Sequence, residues 1–248
     1  MQIIPLSEGS FTIDKTKVFV PFDLKEDNLQ NRAVGSLLVE VQPFVVITEK
    51  DVLLLDAGLG FYAGKELQLY QNLRANNINP DSITKVLMSH LHKDHAGGVS
   101  KRDSLGNYTL AFPNAKYFIQ KKELEYALET DLPSYMTEEL SVLYNHPQVT
   151  QLNGNGFIDD YIDYEITAGH SLFHQVFWIK ENKDIVFFGG DDAPQLQQMK
   201  CRFVAKYDWD GKKCMQLRQQ WWAEGKENNW IFLFYHDIKS PVVKAFEE

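Results

Sequence analysis

The stretch Ser89-His90-Leu91-His92-Lys93-Asp94-His95 constrains this chain more than any other feature. It packs three of the chain's seven histidines, and an aspartate with them, into six positions. A His-x-His-x-Asp-His pattern arises by chance in roughly 4 × 10⁻⁴ of chains of this composition. Imidazole nitrogen and carboxylate oxygen are the ligands that a borderline divalent ion such as zinc accepts. In an extended segment residues i and i+2 point the same way, so His90 and His92 can share one ion while Leu91 and Lys93 point elsewhere. Asp94 and His95 are adjacent and suit a chain that is turning, with both side chains aimed at a second ion beside the first. Gly97-Gly98 allows close backbone approach and a sharp turn, and Val86-Leu87-Met88 fixes the motif to a sheet edge.

Four ligands do not complete two ions, and three more stand at similar places in the chain. His170 follows the strand-like run Tyr161–Ile166 in Thr167-Ala168-Gly169-His170. Asp191 follows Ile185–Phe188 in Gly189-Gly190-Asp191-Asp192, and His236 ends the apolar run Trp230–Tyr235. Each puts a ligand-type side chain just beyond the carboxyl end of an apolar strand, as His90 does, and such strand ends can converge on one site. Asp191 is preferred to Asp192 because it directly follows the glycine pair. His174 reads as structural and His146, before Pro147, as a surface turn.

The remaining pattern reads as one α/β domain over residues 1–248. Short β-branched or apolar runs at Phe11–Ile13, Val18–Pro21, Ser36–Val41, Phe44–Thr48 and Val52–Leu55 predict strands, with a hairpin turn at Glu49-Lys50-Asp51. A helix is expected within Gly64–Asn76, stopped by Asn79-Pro80. A strand follows at Lys85–Ser89, then loop at Gly97-Gly98 and Arg102–Tyr108, then a strand within Phe112–Ile119. Lys121–Tyr144 is helical in pattern, broken at Pro133. Strands return at Phe157–Ile158, Tyr161–Ile166, Gln175–Ile179, Ile185–Phe188 and Trp230–Tyr235, around a helix at Lys212–Glu224 that carries Cys214. Strands followed by helix, twice over, point to a sandwich of two similar halves.

Composition narrows the partners. The formal charge of −9 repels a phosphate backbone and an anionic membrane surface, so neither nucleic acid nor membrane is expected. No apolar run reaches the ~18 residues that span a bilayer. Met1-Gln2-Ile3-Ile4-Pro5 lacks the basic and apolar regions of an export signal, so the two cysteines, Cys201 and Cys214, are expected as reduced thiols of a cytoplasmic protein. The oligomeric state is left open.

These residues resemble the metallo-β-lactamase superfamily of metallohydrolases. The likeness is carried by His90-x-His92-x-Asp94-His95, Gly169-His170, Gly190-Asp191, His236, and the early Asp56-Ala57-Gly58 element after an apolar strand. The gaps of 75, 21 and 45 residues from His95 to His170, to Asp191 and to His236 are most similar to those of the N-acyl-homoserine lactonase branch. The resemblance implies a four-layer αββα sandwich with a two-metal site at one edge. It implies His90, His92 and His170 on one ion, Asp94, His95 and His236 on the other, and Asp191 between them. Zinc fits the ligands best; iron and manganese also fit. Two such ions sharing a water would ionise it for attack on a carbonyl carbon, with Asp94 or Asp191 as the proton shuttle.

The expected substrate is a small neutral ester or lactone, walled by Val18–Phe22 and by the helices of Leu124–Tyr144. The alternatives are a thioester hydrolase of glyoxalase II type, disfavoured because only twelve residues follow His236, and a metal-binding module without catalysis. Two departures from the lactonase branch stand out. Pro194 occupies the place of its usual tyrosine, the next tyrosine being Tyr207, and Ala168 replaces its usual proline before the Gly-His unit.

Overall fold

The structure, a computed structural model, describes residues 1–245. Two six-stranded sheets form its centre. The first runs edge to edge through Gln2–Pro5, Phe44–Ile47, Val52–Leu55, Lys85–Leu87, Lys116–Gln120 and Val149–Leu152. The second runs through Gly156–Ile158, Ile162–Ile166, Gln175–Glu181, Asp184–Phe188, Ile231–Leu233 and Val242–Lys244.

The period-two alternation of strand side chains sorts the apolar residues into three layers of core. In the first sheet Val45, Leu54, Val86 and Tyr117 point outward against Leu69 and Leu73 of the helix Gln68–Ala75 and Leu124 of the helix Lys121–Glu129. Their chain neighbours Phe44, Val46, Leu53, Leu87 and Phe118 point inward and meet Ile162, Phe177, Ile179, Val186 and Phe188 of the second sheet. The far face of the second sheet, with Val176, Phe187 and Phe232, is covered by Trp221 of the helix Gly211–Asn228 and Met199 of the helix Leu196–Lys200. Helix, sheet, sheet, helix is the αββα order expected.

Strand direction decides where the site lies. Val52–Leu55 and Lys85–Leu87 are parallel. In the second sheet Ile162–Ile166 and Asp184–Phe188 each pair antiparallel with Gln175–Glu181, and Ile231–Leu233 runs parallel to Asp184–Phe188. The carboxyl ends of these three strands therefore open at one edge. Buried Gln175 stitches the two sheets there: its backbone N–H donates to the Ser89 carbonyl at 2.9 Å, and its side-chain amide donates to the Met88 carbonyl at 2.7 Å.

Several expected elements change in extent. Within 64–76 only Gln68–Ala75 is helical, because Tyr62–Ala63 and Glu66–Leu67 pair as a small hairpin turned at Gly64, whose φ is +71°. The expected loop 102–108 is the turn of a hairpin between Ser100–Arg102 and Tyr108–Leu110. The strand expected at 230–235 is confined to Ile231–Leu233. Among the described residues no helix is long and apolar enough to cross a membrane. Both cysteines are free, Cys201 exposed and Cys214 buried.

Candidate metal centre

The segment that leaves the strand Lys85–Leu87 bends at Ser89, is extended at His92, and then winds into the single helical turn Lys93–Ala96. That change of conformation splits the motif. His90 and His92 face one point, with His90 Nε2 2.9 Å from His92 Nδ1; Asp94 and His95, on the turn, face another. Gly97 and Gly98 allow close approach rather than a reversal, since neither has a positive φ. A methyl group on Gly97 would strike the Leu59 carbonyl, and one on Gly98 the Ala57 carbonyl.

His170, Asp191 and His236 come to the same place from the three strand ends of the second sheet. His170 Nε2 lies 3.1 Å from His92 Nδ1. Single ligand atoms of His90, His92 and His170 lie within 4.8 Å of one another, as do those of Asp94, His95 and His236. Asp191 stands between the two triads. Its Oδ2 is 3.2 Å from His170 Nε2, and its Oδ1 is 3.1 and 3.0 Å from Nε2 of His95 and His236. Asp192 points away, accepting from the His170 backbone N–H at 2.6 Å and pairing with His174 Nδ1 at 3.0 Å. His174 is thereby held in the scaffold, and its Nε2 accepts the Asp191 N–H at 3.2 Å. His146 lies in a half-buried turn, outside the cluster.

Outer partners fix which imidazole nitrogen faces inward. The Ser89 hydroxyl donates to Asp56 Oδ2 at 2.6 Å, so it accepts from His90 Nδ1 at 3.0 Å, and His90 Nε2 is left bare. His95 Nδ1 donates to Asp56 Oδ2 at 2.7 Å, His170 Nδ1 to Asp208 Oδ1 at 2.9 Å, and His236 Nδ1 to the Glu40 carbonyl at 2.6 Å. Three of these lone pairs, on His95, His170 and His236, thus face Asp191, and the fourth, on His90, faces His92. Tyr235 stacks on His95 at 4.0 Å and donates to the Asp94 carbonyl at 2.6 Å.

This arrangement fits a pair of cations. His95 Nε2 and Asp191 Oδ1 are buried and have no hydrogen-bond partner among the described residues, although 3.1 Å separates them. Two facing acceptors need a cation or a proton between them. Burial depresses the histidines, and it holds His90 and His92 well below the ordinary imidazole value. At His95, His170 and His236 burial is outweighed by the Asp191 charge, which lifts all three. Burial would likewise raise Asp191, but His236, His95 and His170 hold it well below the carboxylate range. A central anion ringed by inward-facing imidazoles is a donor set that suits zinc and its neighbours.

A family profile for the metallo-beta-lactamase superfamily matches residues 39–204. The chain belongs to the metallo-beta-lactamase superfamily. It resembles the N-acyl homoserine lactonase AttM of Agrobacterium fabrum, with 28% identity over 127 residues, which are 47% of this chain and 43% of AttM. The chain thus spans less than half the length of that curated relative. Its fold matches a probable metal-dependent hydrolase from Staphylococcus aureus with a TM-score of 0.77 at 22% identity, covering 98% of this chain and 91% of that one. It also matches AidC, a dizinc quorum-quenching lactonase in complex with a product, with a TM-score of 0.73 at 17% identity, covering 98% and 89%.

Within the superfamily frame, the departures now have positions. Pro194 and Tyr207 both line a cavity of about 560 Å³ that opens on the candidate ligands. The Tyr207 ring lies 6.0 Å from that of His170, and burial, with Asp191 and Asp208, pushes its phenol up to about 12. It is therefore a neutral donor across the neutral range. Of the expected walls, Phe19 lines the cavity, whereas 124–144 supplies only Ser134. The other apolar wall residues, Ile13, Leu37 and Val39, come from the small sheet of Gly9–Ile13, Val20–Pro21 and Leu37–Val41.

Asp208 escaped the sequence reading, since it lies in a loop with neither motif nor strand end to mark it. Asp208→Ala is expected to weaken zinc binding roughly 10- to 100-fold, read by competition with a chelating dye, because His170 loses the acceptor that keeps Nε2 bare. Glu8 is the other unforeseen acid. Its Oε2 accepts the Leu59 N–H at 2.6 Å, and burial, aided by Asp94, raises it to about 7. A carboxyl raised in the fold supports stability below its ordinary value of 4.5 and loses that support as pH rises through 7. In chelator-treated protein the stability gap between Glu8→Gln and the parent should shift by on the order of 3 kcal/mol in the variant's favour between pH 4.5 and pH 8, read by urea titration. A gap independent of pH would refute it.

Proposed function

We propose that this chain is a dinuclear metal-dependent hydrolase that cleaves a small ester or lactone, with zinc as its favoured ion. The observation that carries the reading is Asp191, whose two oxygens face separate triads of ligand-type side chains. His90, His92 and His170 would hold one ion and Asp94, His95 and His236 the other. When bound, the pair supplies Lewis acidity that ionises water and polarises a carbonyl oxygen.

The chain's own residues do the rest. Asp56, Ser89, Asp208 and the Glu40 carbonyl keep the imidazoles in the ligating tautomer. Asp191 would supply the charge that holds two cations close, and Asp94 or Asp191, both in the cavity lining, would accept a proton there and pass it to the departing oxygen. The Tyr207 phenol can donate to a substrate oxygen where Pro194 cannot. The wall of Ile13, Phe19, Leu37 and Val39 gives an acyl chain an apolar seat. The likeness to proteins named N-acyl homoserine lactonases favours a lactone over an open ester.

The test is metal analysis of protein loaded with zinc, iron or manganese, combined with a panel of N-acyl homoserine lactones, esters and thioesters. Two ions per chain and turnover of a lactone are expected. A chain that holds two ions and turns over nothing on the panel is a binding module instead.

A further inference from the structure

The chain carries nine more acidic than basic side chains, yet the cavity that opens on the candidate ligands is lined by Lys15, Lys17, Lys93 and Lys206. Among the described residues Asp14 is the one acid of its lining apart from Asp94 and Asp191. Asp14 is occupied locally, accepting the backbone N–H and the hydroxyl of Thr16 at 2.8 and 2.5 Å. Lys17, Lys93 and Lys206 have no carboxylate within ion-pair distance among the described residues.

Lys17 is held in the cavity lining by its backbone. It closes the turn after the strand Gly9–Ile13, its N–H donating to the Asp14 carbonyl at 3.0 Å, with φ at +59°. Side-chain-bearing residues disfavour that left-handed backbone. The conformation keeps Lys17 in the same cavity lining as His92 and Lys93. Two half-buried lysines are thereby gathered on one cavity wall, and among the described residues neither has a carboxylate within ion-pair distance. Like charges so placed repel, and low-dielectric walls concentrate their field on whatever enters.

We propose that the cavity selects substrates bearing a carboxylate or similar anionic group on the acyl part, remote from the bond that is cleaved, and that Lys17, Lys93 and Lys206 receive it. The acyl stem lies along Phe19, Leu37 and Val39, and the anion at its end makes the ion pair that these lysines do not make within the chain. This narrows the hydrolase reading, on which it rests, and departs from the neutral substrate expected from sequence.

The experiment compares two probes of equal length on zinc-loaded protein: mono(4-nitrophenyl) adipate, which ends in a carboxylate, and 4-nitrophenyl hexanoate, which ends in a methyl. The kcat/KM ratio is expected to favour the adipate about tenfold at low salt. It should fall toward unity in about 0.5 M sodium chloride and in the double variant Lys17→Met, Lys206→Met. Calorimetry of the free acids is the second readout. Adipate and hexanoate each offer one carboxylate to the metals, but only adipate offers another to the lysines, so it should bind about tenfold tighter in the parent and not in the double variant. A ratio near one in the parent, or one that ignores both salt and the substitutions, overturns the proposal. If neither ester is cleaved, turnover on the lactone panel decides the hydrolase reading, and the calorimetric ratio alone decides whether the anion site exists.

Discussion

Asp191→Asn is expected to lower kcat/KM on an ester or lactone by roughly 10³-fold or more and to leave the protein with fewer than two bound ions. Changing a partner of a ligand usually costs 10- to 100-fold, and Asp191 serves two triads at once. Its Oδ1 lies 3.1 and 3.0 Å from Nε2 of His95 and His236, its Oδ2 3.2 Å from Nε2 of His170. Asparagine keeps the shape but carries one oxygen. Whichever way the amide turns, an NH2 group faces one triad and presents a donor where a cation must sit. The negative charge that offsets two dications is lost as well. The fold should survive, because the backbone N–H of residue 191 still donates to His174 and Asp192 still pairs with it. Metal analysis and steady-state kinetics, with a thermal melt in chelator as the folding control, check this. A variant with two ions and activity within tenfold of the parent would show that Asp191 does not bridge them.

Much of this centre was legible because its chemistry is local or tied to strand ends. His90, His92, Asp94 and His95 are neighbours in sequence, and the switch from extended chain to helical turn after His92 follows from where the apolar strand stops. His170, Asp191 and His236 each stand just past a buried strand, and parallel strand direction in the second sheet carries them to one edge. The groups that orient the imidazoles were not legible in the same way, with Asp56 known only through its family element. Ser89, Glu40 and Asp208 act through single hydrogen bonds across 1 to 196 positions of chain, and no periodicity marks such a partner. The edge strands Gln2–Pro5, Val149–Leu152 and Val242–Lys244 were missed for a related reason. Each is short, half-exposed and paired on one side, so neither alternation nor continuous apolarity announces it. The lysines of the cavity lining, at positions 15, 17, 93 and 206, share no motif, and only the fold sets them around one opening.

His92→Ala is expected to empty one ion site and spare the other, with activity reduced by a factor on the order of 10² or more. The asymmetry follows from charge. The triad of His90, His92 and His170 is three imidazoles with no carboxylate among its members, Asp191 facing it and Asp208 behind His170, whereas the triad of His95 and His236 also contains Asp94, with Oδ2 3.7 and 3.5 Å from their Nε2 atoms. Removing one of three neutral ligands from the less charged site should cost it the ion under dilute conditions, while the site with two carboxylates keeps its own. His92 is also a clean probe of ligation. It is half-buried, and its ring meets the edge of Tyr135 at 4.8 Å, so its loss removes less packing than that of fully buried His95. Stoichiometry should fall from two ions to one per chain, with the far-ultraviolet spectrum unchanged. His236→Ala should act on the other triad, and the double variant should hold none. If His92→Ala retained both ions, the two triads would not be separate sites, and the assignment of three imidazoles to one ion would be wrong.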